Sequence, residues 1–353
     1  MRVLFGCLAS ALVLSACATA PAQLTDSARP VAAVRETAPV DATGDAADDP
    51  AIWVAPDAAQ SLVIGTQKQG GLYVFDLSGA IVQTIPGGRP NNVDLRADFP
   101  WSDGAGPIVA ASDRTDNAIP IWRFDTAARR LGDAPISRVP TPFAEVYGFC
   151  LGRHGEDYIA VVTSKIGQVA IWTLAPDAQG GLTARPRALF DLSPLGVRGI
   201  AEGCVVDDAA GVLYVAQELV GIWRVPLDEV TGRTLIDRVG AGRLAADVEG
   251  LTLYLQPDGG GYLIASVQGA NRFAIYDRAG ANAYRGAFEV TASRDGAADA
   301  VSGTDGIDIV SAPLGPDFPQ GLFVVQDDEN TAPAALQNFK YVSWADIAAA
   351  LGL

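Results

Sequence analysis

The chain has 353 residues, 49% of them hydrophobic and only 19% charged, which excludes a disordered chain and supplies ample material for a large buried core. A formal net charge of −16 argues against nucleic acid and anionic lipid surfaces as partners. The 38 glycines and 22 prolines, set among short β-branched and aromatic runs, favour an all-β chain with many turns.

At the N-terminus, Arg2 is followed by an apolar run from Val3 to Leu14, too short and too early to span a membrane, and the stretch reads as an export signal. It ends in Leu14-Ser15-Ala16-Cys17, which resembles a bacterial lipobox. Residues 1–17 are therefore expected to be a lipoprotein signal, with Cys17 acylated after cleavage; an ordinary cleaved signal is the alternative. Residues 18–40, rich in Ala, Pro and Thr, read as a flexible tether, which leaves 41–353 as one folded domain. The expected location is the cell envelope, on its periplasmic or outer face and held by the lipid alone, or secretion; a monomer is expected. Beyond the leader only Cys150 and Cys204 remain, both in apolar strand patterns, and they are expected to be buried free thiols.

From there the chain repeats itself. A short strand ending in an aromatic recurs as Leu72-Tyr73-Val74-Phe75, Pro120-Ile121-Trp122, Ala170-Ile171-Trp172, Gly221-Ile222-Trp223 and Ala274-Ile275-Tyr276. Each follows an apolar strand with a polar end: Leu62 to Lys68, Ile108 to Arg114, Ile159 to Lys165, Leu213 to Glu218 and Leu263 to Gln268, with Leu322 to Asp327 as a sixth. A further strand precedes each of these and opens on a polar or aromatic residue: Asp49, Asn92, Tyr147, Glu202, Glu249 and Asp305. Units of about 50 residues with several strands each fit a six-bladed β-propeller, a single toroidal domain, better than a sandwich or a β-helix.

In a propeller, equivalent positions of all blades converge on the axis. The strand ends then form a ring of three cations (Lys68, Arg114, Lys165) followed by a mainly acidic side (Glu218, Gln268, Asp327). The strand openings add Asp49, Tyr147, Glu202, Glu249 and Asp305, with Asp48, Asp94, Asp247 and Asp308 beside them. Carboxylates this crowded need a counter-charge. With oxygen the main donor, Ca²⁺ fits and zinc or copper do not. Adjacent Lys and Arg suit phosphate, and metal ions beside them suit phosphoryl transfer to water. Arg153-His154-Gly155 begins like the histidine acid phosphatase motif, but Glu156, Asp157 and Tyr158 follow in place of its Arg and Pro, so it reads as a surface turn.

Asp48-Asp49-Pro50-Ala51-Ile52-Trp53, Asn91-Asn92-Val93-Asp94, Glu145-Val146-Tyr147-Gly148-Phe149, Asp247-Val248-Glu249-Gly250-Leu251-Thr252 and Thr304-Asp305-Gly306-Ile307-Asp308 resemble the signature strands of the β-propeller phytases, as do Gln337-Asn338-Phe339-Lys340 and Trp344. The resemblance covers about residues 41–353. It implies a six-bladed fold, phytate as substrate, several Ca²⁺ ions, and hydrolysis by a calcium-activated water. It also implies that Lys68, Arg114 and Lys165 bind phosphate, that Tyr147, Glu202, Glu249 and Asp305 hold catalytic calcium, and that Glu218 and Asp247 neighbour that site. Asp49 and the Val93 carbonyl would form one structural calcium site, and Asp299, Asp327, Glu329 and Asn330 another. Gln69 and Gln217 stand where some members carry Lys and an acid. A calcium-dependent propeller lactonase or esterase, and a non-catalytic binding propeller, are the competing readings.

Overall fold

The structure, a computed structural model, describes residues 24–193, 199–331 and 335–353. Six sheets carry the chain, antiparallel except for one added N-terminal strand and each formed largely from consecutive strands. Blade 1 comprises Ala47–Trp53, Leu62–Gln67, Gly71–Asp76 and Ile81–Pro86. Blade 2 comprises Pro90–Trp101, Gly104–Asp113 and Ala118–Asp125, edged by Arg130–Leu131 and Ser137–Pro140. Blade 3 comprises Val146–His154, Asp157–Ser164, Gln168–Pro176 and Leu182–Asp191. Blade 4 comprises Ala201–Asp207, Val212–Gln217, Gly221–Pro226 and Thr234–Arg238. Blade 5 comprises Val248–Leu255, Gly261–Val267, Arg272–Asp277 and Tyr284–Thr291, and blade 6 comprises Ile307–Val310, Leu322–Asp327 and Asn338–Ser343.

The cores lie between neighbouring blades. Trp53, Ile64, Val93 and Trp122 pack together across blades 1 and 2; Phe149, Val162 and Ile119 join blades 2 and 3; Phe75, Val324 and Phe339 join blades 6 and 1. The second strands therefore bury both faces, and their β-branched runs are buried throughout in Leu62–Gln67, Val212–Gln217 and Leu322–Asp327. The fourth strand of blade 1, Ile81–Pro86, is mostly exposed. The helix Trp344–Leu351 covers blades 5 and 6, with Trp344 stacked on Tyr254 at 3.9 Å.

Two expectations are corrected here. Residues 29–36, assigned to a tether, are strands: Arg29–Ala32 lies parallel to Tyr284–Thr291 of blade 5, and Arg35–Glu36 pairs with Asn338–Ser343 as the outermost strand of blade 6. Blade 6 has three strands of its own, and the N-terminal segment satisfies the edge groups that its last strand would otherwise leave open. Lys340, fully buried, is bonded to Glu36 across the same junction, so the two chain ends close the ring.

Nor are Cys150 and Cys204 free thiols. They form a disulfide with Cα atoms 5.7 Å apart, joining the innermost strands of blades 3 and 4. Each sequence pattern correctly predicts burial, but whether two strands 54 residues apart are neighbours is set by blade packing. By loop entropy such a bridge stabilises by about 4 kcal/mol. Replacing both cysteines by Ala is expected to lower the unfolding free energy by about 2–4 kcal/mol, measured by denaturant titration. Alkylation of both thiols in unreduced, denatured protein would refute the bridge.

Candidate active site

The innermost strands share one irregularity. In five blades their pairing with the second strand slips, between Ala47 and Pro50, Pro90 and Val93, Val146 and Phe149, Ala201 and Cys204, and Val248 and Leu251. Such a bulge bends the strand and re-aims its side chains. The residues that open the bulges are Asp48, Asn91, Tyr147, Glu202 and Glu249, and Asp305 holds the corresponding place ahead of Ile307–Val310 in blade 6. The next residue in blades 3 to 6 is Gly148, Gly203, Gly250 or Gly306. A Cβ on Gly148 would sit 1.6 Å from the Glu202 carbonyl oxygen, and one on Gly203 2.3 Å from that of Glu249. One on Gly250 would sit 2.8 Å from that of Asp305, and one on Gly306 2.5 Å from the Asp49 Cα. Only glycine lets these backbones approach so closely, and the approach draws the carboxylates together at the axis.

The ring thus holds Asp48 and Asn91 where the sequence alignment placed Asp49 and Asn92, because the preceding residue, not the following one, opens the bulge. The second-strand ring has a similar offset in blade 6. Pairing of Val162, Val215, Ala265 and Val325 with Phe149, Cys204, Leu251 and Ile307 makes Asp328, not Asp327, the counterpart of Lys165, Glu218 and Gln268.

Within the ring lies a cavity of about 330 Å³ lined by Asp45, Lys68, Tyr147, Glu202, Glu218, Asp247, Glu249, Gln268, Asp305, Asp328 and Gln337. That is seven carboxylates and one cation, with Asp48 directly behind. The Lys68 ammonium is 2.7 Å from Asp45, 3.0 Å from Asp48 and 3.0 Å from Asp305. Although burial opposes its charge, Asp305, Asp48 and Glu202 hold its pKa well above the usual range. Asp48, Glu202 and Asp305 bring one oxygen each within 4.8 Å of one another, as do Glu202, Glu218 and Glu249. Burial, and then Glu202 beside it, pushes Glu249 well above the ordinary carboxylate range. Burial followed by Glu202 and Asp247 pushes Glu218 up to about 8. Burial also raises Asp305, to about 7, with Glu202 adding to it and Lys68 opposing. Tyr147 is likewise raised, by burial and then Glu202, so its hydroxyl stays neutral.

Asp45 and Asp328 were not singled out from sequence, and Asn91 and Gln337 stood only within the family-like segments, with no role given. Gln337 accepts hydrogen bonds from the Ala46 and Ala47 amides, both at 2.7 Å, which fixes the segment carrying Asp45 and Asp48. Its position in Gln337-Asn338-Phe339-Lys340 was the available signal.

Lys165 is not in the cavity wall; its ammonium lies 2.8 Å from Glu145 and 4.8 Å from the centre of the Tyr147 ring. Arg114, half-buried, is also outside that wall, its Nε buried without a hydrogen-bond partner. Asp49 accepts from the Val93 amide at 3.1 Å, and with Asp94 and Asp308 lines a larger cavity of about 500 Å³. The cations of that cavity are already paired, Arg96 with Asp94 and Arg278 with Asp207, so the smaller cavity with its excess of carboxylate is the candidate active site. Asp94 and Asp308 accept from Leu151 and Ile52 of the next blades, both at 2.8 Å. Asp299, Asp327 and Asn330 converge on the Lys340 ammonium, whereas Glu329 is exposed and its amide donates to Ser302. Gln217 is spent on Trp223, Ser193 and Gly199, and His154 pairs with Asp228 at a strand turn. Cys17 lies outside the described residues.

The cavity fits hard cations. Glu249 Oε2, Asp305 Oδ1 and Asp48 Oδ1 are buried without hydrogen bonds, and every donor atom that could face an ion there is oxygen.

Comparison with known proteins accords with this geometry. A 3-phytase of Bacillus subtilis (strain 168) is 41% identical over 334 residues, covering 91% of this chain and 85% of that protein. A solved structure described as BBS1N in complex with ARL6DN, soaked with mercury, overlays 80% of this chain and 74% of its own at 8% identity and a TM-score of 0.46, too slight a likeness to carry an argument. The Phytase family model matches residues 2–353, and the chain belongs to the Phytase family.

Proposed function

We propose that this phytase, a phosphoric monoester hydrolase, releases phosphate from phytate at the acidic cavity with the help of bound calcium ions. One observation carries the calcium reading: seven carboxylates face a single lysine in the cavity, and a polyanionic ester cannot approach such a wall unless cations reverse its charge. Asp48, Glu202 and Asp305 would hold one such ion, and Glu202, Glu218 and Glu249 another. Calcium bound there supplies the positive charge that draws in the ester and lowers the proton affinity of an attacking water. The protein's own part is placement. Lys68 offsets three carboxylates from within the ring, and Tyr147 offers a neutral hydroxyl. Lys165 and Arg114, at the end of adjacent second strands, receive phosphate oxygens, Arg as a planar fork and Lys as a point charge.

Calcium dependence is tested by chelation, which should abolish phosphate release from phytate and lower stability. An ion at a hundredfold excess over its dissociation constant contributes roughly 3 kcal/mol. The effect should depend on pH. Glu218 titrates at 4.5 ordinarily and at about 8 in the metal-free fold, so the fold holds a proton that the unfolded chain has lost between those values. Its contribution is full below pH 4.5 and lost as pH rises through 8, so the metal-free Tm should fall across this window. Calcium replaces the proton, and the gain in Tm on adding it should grow with pH; a flat metal-free profile would contradict this.

The two sides of the site should fail differently. Glu249→Gln keeps the shape but removes a charge, and is expected to lower kcat by on the order of a hundredfold and to raise the calcium midpoint. Lys165→Ala should lower kcat/KM and leave that midpoint in place. Calcium titrations of phosphate release from both variants check the assignment.

We further infer export and acylation from the N-terminal residues. Cys17→Ala should move the protein from the membrane fraction to the soluble one, since acyl chains would be its anchor.

A further inference from the structure

We propose that Asn91 is a positioning residue of the catalytic site, which pins the carboxylate of Glu202 so that it can serve both acidic groups at once. Asn91 opens the bulge of blade 2 and so occupies the ring position that Asp48, Tyr147, Glu202, Glu249 and Asp305 occupy in the other blades. It is the one amide among them. Its side chain is fully buried, and its Nδ2 donates to Glu202 Oε1 at 3.0 Å and to Asn92 Oδ1 at 2.9 Å. Its own Oδ1 takes no hydrogen bond among the described residues, so these two donated bonds alone orient the amide.

Glu202 is the residue shared by the Asp48–Glu202–Asp305 and Glu202–Glu218–Glu249 groups. A carboxylate that serves two groups is useful only in one rotamer, and Glu202 lies two blades on from Asn91, in blade 4. An amide suits this task for two reasons. It donates, which a carboxylate cannot do, and it adds no negative charge to a wall already overloaded with it. Partners that hold a ligating carboxylate typically matter by 10–100-fold in metal affinity or activity.

This inference rests on the calcium reading above, and the experiment separates the two. Asn91→Ala, Asn91→Leu and Asn91→Ser are compared with the parent and with Thr252→Val. Thr252→Val removes a buried hydroxyl that donates to Asp308 at 3.1 Å outside the catalytic cavity, and serves as a control for simple loss of stability. Calcium is titrated with Tm as one readout and phytate hydrolysis as the other. The Asn91→Ala and Asn91→Leu midpoints should rise about tenfold or more, Asn91→Ser by less because its hydroxyl still donates, and Thr252→Val should lower Tm with its midpoint unmoved. At saturating calcium, Asn91→Ala should lower kcat with KM within about twofold of the parent. If the parent shows no response to calcium, the calcium reading fails, and the kcat and KM of Asn91→Ala then decide the positioning role alone. If the parent responds but the Asn91 variants shift the midpoint no further than Thr252→Val and keep the parental kcat, the positioning role is overturned. Should Asn91→Ala and Asn91→Leu not fold, the Asn91→Ser midpoint and kcat decide in the same way.

Discussion

The close approach of neighbouring backbones at the propeller axis governs the rest of the molecule. Gly148, Gly203, Gly250 and Gly306 each lie where a Cβ would collide with the next inner strand. With no side chain to separate them, the bulges of successive blades nest, and the residue just before each glycine turns into the channel. The acidic cavity is a geometric product of this packing: tight nesting for closure and converging carboxylates for chemistry come from one local arrangement repeated around the ring.

Such convergence is costly, because buried like charges raise one another's proton affinity. Two internal cations offset part of the cost in different places. Lys68 sits among Asp45, Asp48 and Asp305 at the axis, and Lys340 among Glu36, Asp299 and Asp327 at the junction of the chain ends. The second cluster also sets three carboxylates around one ammonium and ties the N-terminal strand to the last one, and the Cys150–Cys204 bridge ties the inner strands of blades 3 and 4 in addition. The first cluster opens onto a wall that adds Glu202, Glu218, Asp247, Glu249 and Asp328, and so carries the larger excess of carboxylate. In the proposed reaction that excess receives cations first and then the phosphate ester.

The opposite cavity makes the contrast plain. Asp49 is buried and Asp94 and Asp308 half-buried, and each accepts a hydrogen bond from a neighbouring blade's amide. There the same residue type staples blades together. One residue along the strand separates the two, Asp48 holding Lys68 behind the acidic cavity and Asp49 lining the other.

Much was legible in the chain alone. The recurrence of an aromatic-tipped strand behind an apolar one reports the blade, since a strand buried on both faces must be apolar in continuous runs and the repeat length sets the number of units. Lys68, Tyr147, Glu202, Glu218, Asp247, Glu249 and Asp305 were identified because repeated residues at equivalent positions must share an environment, and all seven line one cavity. The Asp48 and Asn91 offsets and the use of Asp328 for Asp327 were hidden, because a bulge changes which residue faces the channel without changing the hydrophobic pattern around it. The Cys150–Cys204 bridge, the strands at Arg29–Ala32 and Arg35–Glu36, and the pairing of Lys340 with Glu36 were equally out of reach. Composition and periodicity determine which residues are buried and how often a unit repeats; which buried residue meets which is decided only when the ring closes, because those contacts join segments far apart in the chain.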